Sequence, residues 1–494
     1  MPHQQFAPSK DRGRRCSIPA VAGLAGLVIA LVAAMLAFVG PAQAWAKSTT
    51  ITVCPSLSPS CQYTSIQGAI NAASSGGKIL IAAGTYTGAL SISTNLTLVG
   101  AGEDETTINL TTAGTVVTIM SSALAVTIRG VTIAGNLSTV GGEGGGIHNA
   151  GTLVLDNSTV SGSDVPNGEG GGIYNSGTLV LHNSQVSGNS AFSYEGGGIY
   201  NAGGTVILHD SSVSGNDAEI GSGGGIYNSS GTVTLHNSSV SDNSAPEGEG
   251  GGIANSGTLV LDNSEVSDNT VAGGGGIGGG ISNSGTLILR NSPVSGNSAM
   301  AAGGIWNGGT AILDTSPVSE NKASYLGSGG IENRGTLILR NSPVSGNSTG
   351  AGGGAISNNL GMLTLDNSPV SDNSAGDGGG IYNTGMLTLD NSPLSGNSAT
   401  AYKYMSYGFG GGLSNSGTVT LRESLVSDNT ALSGGGIYNN GGKLTLEKSP
   451  VSGNTATGGL GSGGGVFNVS LGTAMLNKSP VSGNNPDNCD GLTC

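Results

Sequence analysis

Residues 170–189 read GGGIYNSGTLVLHNSQVSGN. Leu179 and Leu181 flank Val180, so two leucines share one face and a β-branched residue takes the other, the period-two pattern of a strand. Gly, Ser and Asn fill the intervals, which excludes a helix and marks tight corners. Three short strands joined by corners make one turn of a coil, and the question becomes whether the turn repeats.

It does. Anchors in the Gly-Gly-Gly-Ile-x-Asn register fall at Ile147, Ile173, Ile199, Ile226, Ile253, Ile281, Ile305, Ile331, Ile356, Ile381, Leu413, Ile437 and Val466, with a mean step of about 27 residues. Two residues after every anchor stands an asparagine: Asn149, Asn175, Asn201, Asn228, Asn255, Asn283, Asn307, Asn333, Asn358, Asn383, Asn415, Asn439 and Asn468. The Val-Ser-Gly-Asn piece ends in Asn in every coil except the first, where Ser163 takes its place. Leucine-rich repeats have a similar period, but their Leu-x-x-Leu lead-in is replaced here by glycines. The fold expected is therefore all-β: a single right-handed parallel β-helix of about 14 to 16 coils with an N-terminal capping helix. Stacking sets equivalent residues about 4.8 Å apart, so each Asn amide can donate to the next along the axis. That gives the invariant asparagines a structural role as a buried ladder.

The chain has 494 residues, 92 glycines, few aromatics and a net charge of −14. Leu, Val and Ile at fixed spacing argue against disorder, and the acidic balance argues against a nucleic-acid partner. Basic residues Lys10 to Arg15, an apolar run from Ala20 to Val39, and Pro41 to Ala46 have the order of an export signal. The domain reading is residues 1–46 as signal peptide or uncleaved membrane anchor through residues 20–40, and 47–136 as an N-terminal cap with degenerate first coils. Residues 137–484 hold thirteen Gly-rich coils, and 485–494 a short C-terminal cap. Thr64-Ser65-Ile66-Gln67 reads as a capping box, followed by Ile66, Ala69, Ile70 and Ala73 at helical spacing. Four cysteines follow the signal, and local pairing of Cys54 with Cys61 and Cys489 with Cys494 is expected, because thirteen coils at about 4.8 Å hold the two pairs roughly 60 Å apart.

The stretch from Tyr63 to Ile108, with Gly84-Thr85-Tyr86 and Leu98-Val99-Gly100, resembles the start of pectin-lyase-like β-helix proteins. The coils are similar to the repeats of polymorphic outer membrane proteins: Gly353-Gly354-Ala355-Ile356 matches their Gly-Gly-Ala-Ile, while Val-Ser-Gly-Asn stands where they have Phe-x-x-Asn. The resemblance implies surface display and adhesion. No barrel-sized segment follows Asn484, so a free or otherwise attached β-helix is expected.

Chemistry is sparse. Motifs of polygalacturonases are absent from the sequence, so the expectation is a non-catalytic secreted or cell-surface scaffold that binds a surface, glycan or protein partner. A pectate-lyase-like, polysaccharide-active enzyme is the alternative. No cofactor is expected except calcium, for which the file Glu143, Glu169, Glu195 and Glu249 just before the Gly triplets supplies carboxylates one coil apart. A second file follows the last strand leucine: Asp156, His182, His209, His236, Asp262, Arg290, Asp314, Arg340, Asp366, Asp390, Arg422 and Glu447. Its three histidines suit a transition metal, and its alternating charges suit plain compensation, which is the reading preferred. The longest loop, Thr400 to Gly410, carries Tyr402, Tyr404, Tyr407 and Phe409, a cluster of the kind used in carbohydrate or protein contacts.

Overall fold

The computed structural model describes residues 50–56, 58–135, 143–400, 408–459, 461–469 and 471–494. Each repeat winds once around a common axis, and its three strands join three parallel sheets of 17, 16 and 16 strands. Register is held coil to coil, with Asn149 beside Asn175, Leu153 beside Leu179 and Val160 beside Val186. The result is a right-handed parallel β-helix of about sixteen turns. Ile147, Leu153, Leu155 and Val160 and their copies up to the last coil, where Ala474, Leu476 and Val481 are partly exposed, are buried, so each coil supplies four aliphatic side chains to one continuous column.

Polar ladders close the corners between these sheets. Asn149 Nδ2 donates to Asn175 Oδ1 at 2.8 Å, and the same bond recurs from Asn255 to Asn283 and on to Asn439 and Asn468. The asparagines of Val-Ser-Gly-Asn form a second ladder, Asn189 Nδ2 to Asn216 Oδ1 at 2.9 Å, with the Asn189 backbone N–H reaching the same oxygen at 3.1 Å. A third corner carries serines: Ser184 N–H donates to Ser211 Oγ, whose hydroxyl donates back to His209 O. The side chains of these ladders therefore find partners along the axis, whereas Ser163 Oγ, which stands where later coils have Asn, is buried without one among the described residues.

Two features differ from the sequence reading. Ten short strands after the Val-Ser-Gly-Asn corner form a fourth line of pairing, in sheets of three and seven strands. The small residues there, such as Ala191, Ala299 and Ala375, are buried beneath it. The helix spans Ile66–Ala72 with Ser65, not Thr64, as its N-cap, its Oγ accepting from Gly68 N–H at 3.2 Å. Gln67 does not fold back as a capping box requires. Its amide accepts from Ser91 N–H at 2.8 Å and donates to Ser91 O at 3.2 Å, taking the place of a strand edge.

Cys54 is bonded to Cys61 and Cys489 to Cys494, with Cα atoms 5.8 and 6.1 Å apart. Residues 1–46 lie outside the described residues, as do Tyr402, Tyr404 and Tyr407. Among the described residues, no helix is long and apolar enough to cross a membrane.

Candidate binding groove

The strands bearing the ladder asparagines turn one residue outward between Ile and Asn. Across the coils this file reads His148, Tyr174, Tyr200, Tyr227, Ala254, Ser282, Trp306, Glu332, Ser357, Tyr382, Ser414, Tyr438 and Phe467. Seven of these thirteen are aromatic in a chain with 19 aromatics in all, so the position concentrates them. Tyr174, Tyr200 and Tyr227 stack with centroids 5.5 and 5.3 Å apart and rings within 10° of parallel. Since the rings face one another, solvent meets their edges and hydroxyls.

Beside this file runs the glutamate file. Glu143 approaches His148 Nδ1 at 3.6 Å, and Glu249 Oε2 accepts from Ser282 Oγ at 3.0 Å. Burial pushes the Glu169 carboxyl up, with Glu195 and Glu143 adding to the effect, while a hydrogen bond from Tyr200 opposes it. Burial, reinforced by Glu169, raises the Tyr200 phenol to about 12. Glu143, Glu169 and Glu249 thus each face a polar side chain of the outward file, His148, Tyr200 and Ser282. Among the described residues, no group of three or more His, Cys, Asp or Glu side chains is placed to hold a metal.

The histidine file is held by stacking and by aspartates. His209 and His236 stack at 5.0 Å, while His182 and His236 each turn Nδ1 to an aspartate, Asp156 at 3.5 Å and Asp262 at 3.4 Å. His209, in the middle of the three, has its Nε2 buried without a hydrogen-bond partner among the described residues, and burial lowers its pKa, with His236 and His182 adding to the effect. Charge compensation continues along the file in the pairs Arg129–Asp156 and Arg422–Glu447.

Between the outward file and the loops a groove of about 660 Å³ opens. Glu332, Ser357 and Tyr382 from three consecutive coils form its floor, and loop residues Ile277, Met300, Ala301, Leu326, Ala351 and Asp377 form its wall over five coils. Glu332 is only 4% exposed, and its Oε1 receives Arg334 through Nη2 at 2.7 Å and Nε at 2.8 Å. Gly327 makes room for this carboxylate: its φ is +66°, and a Cβ there would strike Glu332 Oε2. Asp377 stands at the wall position equivalent to the glutamate file, since it too immediately precedes the glycines of its coil. Burial raises its carboxyl to about 6, with the Ser414 hydroxyl and the Gly378 N–H opposing. Its Oδ1 is buried without a hydrogen-bond partner among the described residues. A second hollow of about 530 Å³ lies on the same side nearer the N-terminus, lined by Glu143, His148, Glu169 and Tyr194 among others.

Phe409 sits in the coil after Asp377, its carbonyl accepting from Gly378 N–H at 2.8 Å and its ring stacked on Tyr438 at 4.5 Å. This places the end of the aromatic loop beside the groove. Sequence reasoning had found four glutamates and Phe409 but neither the outward aromatic file nor Glu332, Arg334 and Asp377. The signal available was the residue between Ile and Asn, aromatic in seven coils.

Among solved structures, the chain is similar to a pectin methylesterase from Erwinia chrysanthemi, with 16% identity, 48% of this chain and 81% of that chain covered, and a TM-score of 0.33. It is also similar to the A-module of a mannuronan C-5 epimerase from Azotobacter vinelandii, with 15% identity, 84% and 92% coverage, and a TM-score of 0.31. No curated protein sequence matches the chain significantly. Residues 115–299 match the family model described as the right handed beta helix region, in agreement with the three stacked sheets that make this chain a right-handed parallel β-helix.

Proposed function

We propose that the chain is a non-catalytic scaffold, secreted or displayed at the cell surface, that holds an extended glycan along the groove beside its Ile-x-Asn strands. The observation that carries this is the groove itself, walled by loops over five coils and floored by one outward side chain from each of three consecutive coils. Such positions repeat about every 4.8 Å along the axis, whereas same-face residues of an extended peptide repeat at about 6.6 Å and fall out of step. A chain of linked six-membered rings advances by about one ring per coil and keeps step. Tyrosine, serine and asparagine around the groove match sugar hydroxyls in donor and acceptor chemistry.

The disposition of the carboxylates favours binding over turnover. Acid–base cleavage of a glycosidic bond needs one free carboxylic acid and one free carboxylate flanking that bond. Here Glu332 is bound by Arg334 and Asp377 has an enclosed oxygen. The test is depletion of the full chain from solution by a panel of insoluble glycans, followed by assay of the supernatant for reducing and unsaturated ends. Depletion without products is expected. Products above a buffer control would replace the scaffold with an enzyme, and no depletion by any glycan would remove the reading.

A further inference from the structure

Strands Thr178–His182, Thr205–His209 and Thr232–His236 pair in parallel register, so His182, His209 and His236 stand at one outward position of three successive coils. The two outer rings have carboxylates within reach. His182 Nδ1 lies 3.5 Å from Asp156 Oδ1, and His236 Nδ1 lies 3.4 Å from Asp262 Oδ2. The middle ring is held by stacking instead, parallel to His236 within 9° at 5.0 Å and tilted against His182 at 6.5 Å. Its Nε2 is buried with no hydrogen-bond partner among the described residues, and so is Thr234 Oγ1 on the next strand. Thr234 points outward yet is only 3% exposed, and its outward neighbours Ile207 and Val260 are buried too. Side chains of the outer face therefore close over the sheet at this place.

An imidazolium carries an N–H on both ring nitrogens, so a charged His209 needs an acceptor at Nε2 that the closed stack does not offer. The outer rings can charge beside their aspartates, and each such charge adds to the cost of charging the ring between them. Asp210, next in sequence, acts the other way. The remaining charged groups of the file stand farther along it: Arg129 holds Asp156 at 2.7 Å, and Arg290 is in register with Asp262. We propose that the stack of His182, His209 and His236 is an acid-opened latch, closed while the middle ring is neutral and parted when that ring takes a proton, which uncovers Ile207, Thr234 and Val260. Burial lowers the His209 pKa, and His236 and His182 lower it further against Asp210. The unfolded chain thus binds this proton more readily than the folded one. The stack's contribution to stability is fully present above the ordinary imidazole range at about pH 6.5 and is lost as the pH falls through it. None of the three histidines lines either hollow, so the latch does not depend on the glycan reading.

The test joins an imidazole NMR titration of the full chain from pH 8 to pH 4.5 with hydrogen exchange mapped by peptide at pH 7.5 and pH 5.0, corrected for the intrinsic effect of pH. The His209 ring, assigned by its loss in His209→Phe, should titrate at lower pH than free histidine in the same buffer. Protection of strands Thr205–His209 and Thr232–His236 should fall at least ten-fold at pH 5.0, while strands Thr336–Arg340 and Met362–Asp366 keep theirs. His209→Phe retains a stacking ring that takes no proton and should abolish the fall. Should that variant fold poorly, His236→Phe removes one flanking charge and should move the His209 titration upward and shrink the fall. Titration of His209 at or above free histidine, unchanged protection at pH 5.0, an equal loss in His209→Phe, or a loss spread evenly along the chain would overturn the latch.

Discussion

Replacing Asn255 with alanine removes one rung from the middle of the first ladder. Asn255 Nδ2 donates to Asn283 Oδ1 at 2.8 Å and to Gly257 O and Thr286 O at 3.2 Å, and its Oδ1 accepts from Asn228 Nδ2 at 2.7 Å. After the change Asn228 keeps Gly231 O and Thr258 O, whereas the fully buried Asn283 loses the donor to its Oδ1. Net loss of a typical bond costs about 1 kcal/mol, and an orphaned buried acceptor about 1–3 kcal/mol. The expected destabilisation is therefore about 3 kcal/mol. Asn255→Asp should cost more at neutral pH, since a carboxylate would face the Asn283, Gly257 and Thr286 oxygens, and less in acid, where its hydroxyl can donate. Ser256→Ala, at the exposed next position, should stay within about 0.5 kcal/mol. Because a solenoid opens locally, the assay is hydrogen exchange mapped by peptide. Protection should fall in the coils around Asn255 and hold near Asn439. Unchanged protection, or loss of ligand binding with unchanged protection, would refute the structural assignment of the ladder.

Gly251→Ala should be severely destabilising, because its Cβ would sit 2.5 Å from Thr270 O and 2.7 Å from Gly279 O, both backbone atoms of neighbouring coils. Gly188→Asp should cost about 1 kcal/mol or less: its φ is +62° with open space beside it, and Asp242 and Asp268 occupy the same coil position at φ 57°. Thermal melts of the two variants check the contrast. The raised Asp377 carboxyl means the folded chain holds this proton more tightly than the unfolded chain between pH about 4 and about 6, so its contribution to stability falls as pH rises through that window. Asp377→Asn should match the parent near pH 4 and exceed it above pH 6 by up to about 3 kcal/mol; equal stability at pH 7 would refute the burial argument. Reduction of the two short disulfide loops should fray the first and last coils, by about 2–3 kcal/mol at most, before the middle exchanges.

The coil was legible because Ile173, Asn175, Leu179, Leu181 and Val186 all point inward, where one spacing must hold in every turn. Position 175 could be read as a ladder because a side-chain amide both donates and accepts along the axis at each step, and asparagine recurs there in every coil. Ser184 does comparable work, but serine is common throughout this chain, so its recurrence did not stand out. The site was harder for a physical reason. Outward residues are free to vary, so Glu332 and Asp377 share no repeated pattern with their neighbours, and Ile277 and Gly352 interrupt the file between Glu249 and Asp377. The loops that wall the groove also vary in length, which hides from a linear reading that residues 277, 301, 327, 352 and 377 lie side by side.

The most direct test of the glycan-binding reading is hydrogen exchange of the full chain, resolved to single coils, with and without a saturating oligosaccharide of the glycan that depletes it from solution. Binding along the groove predicts added protection in the wall segments around residues 275–277, 300–301, 326–334, 350–359 and 376–382, with the Leu-x-Leu strands on the far side unchanged. Protection confined to the Leu-x-Leu strands or the Val-Ser strands, or spread evenly over the chain, would contradict it.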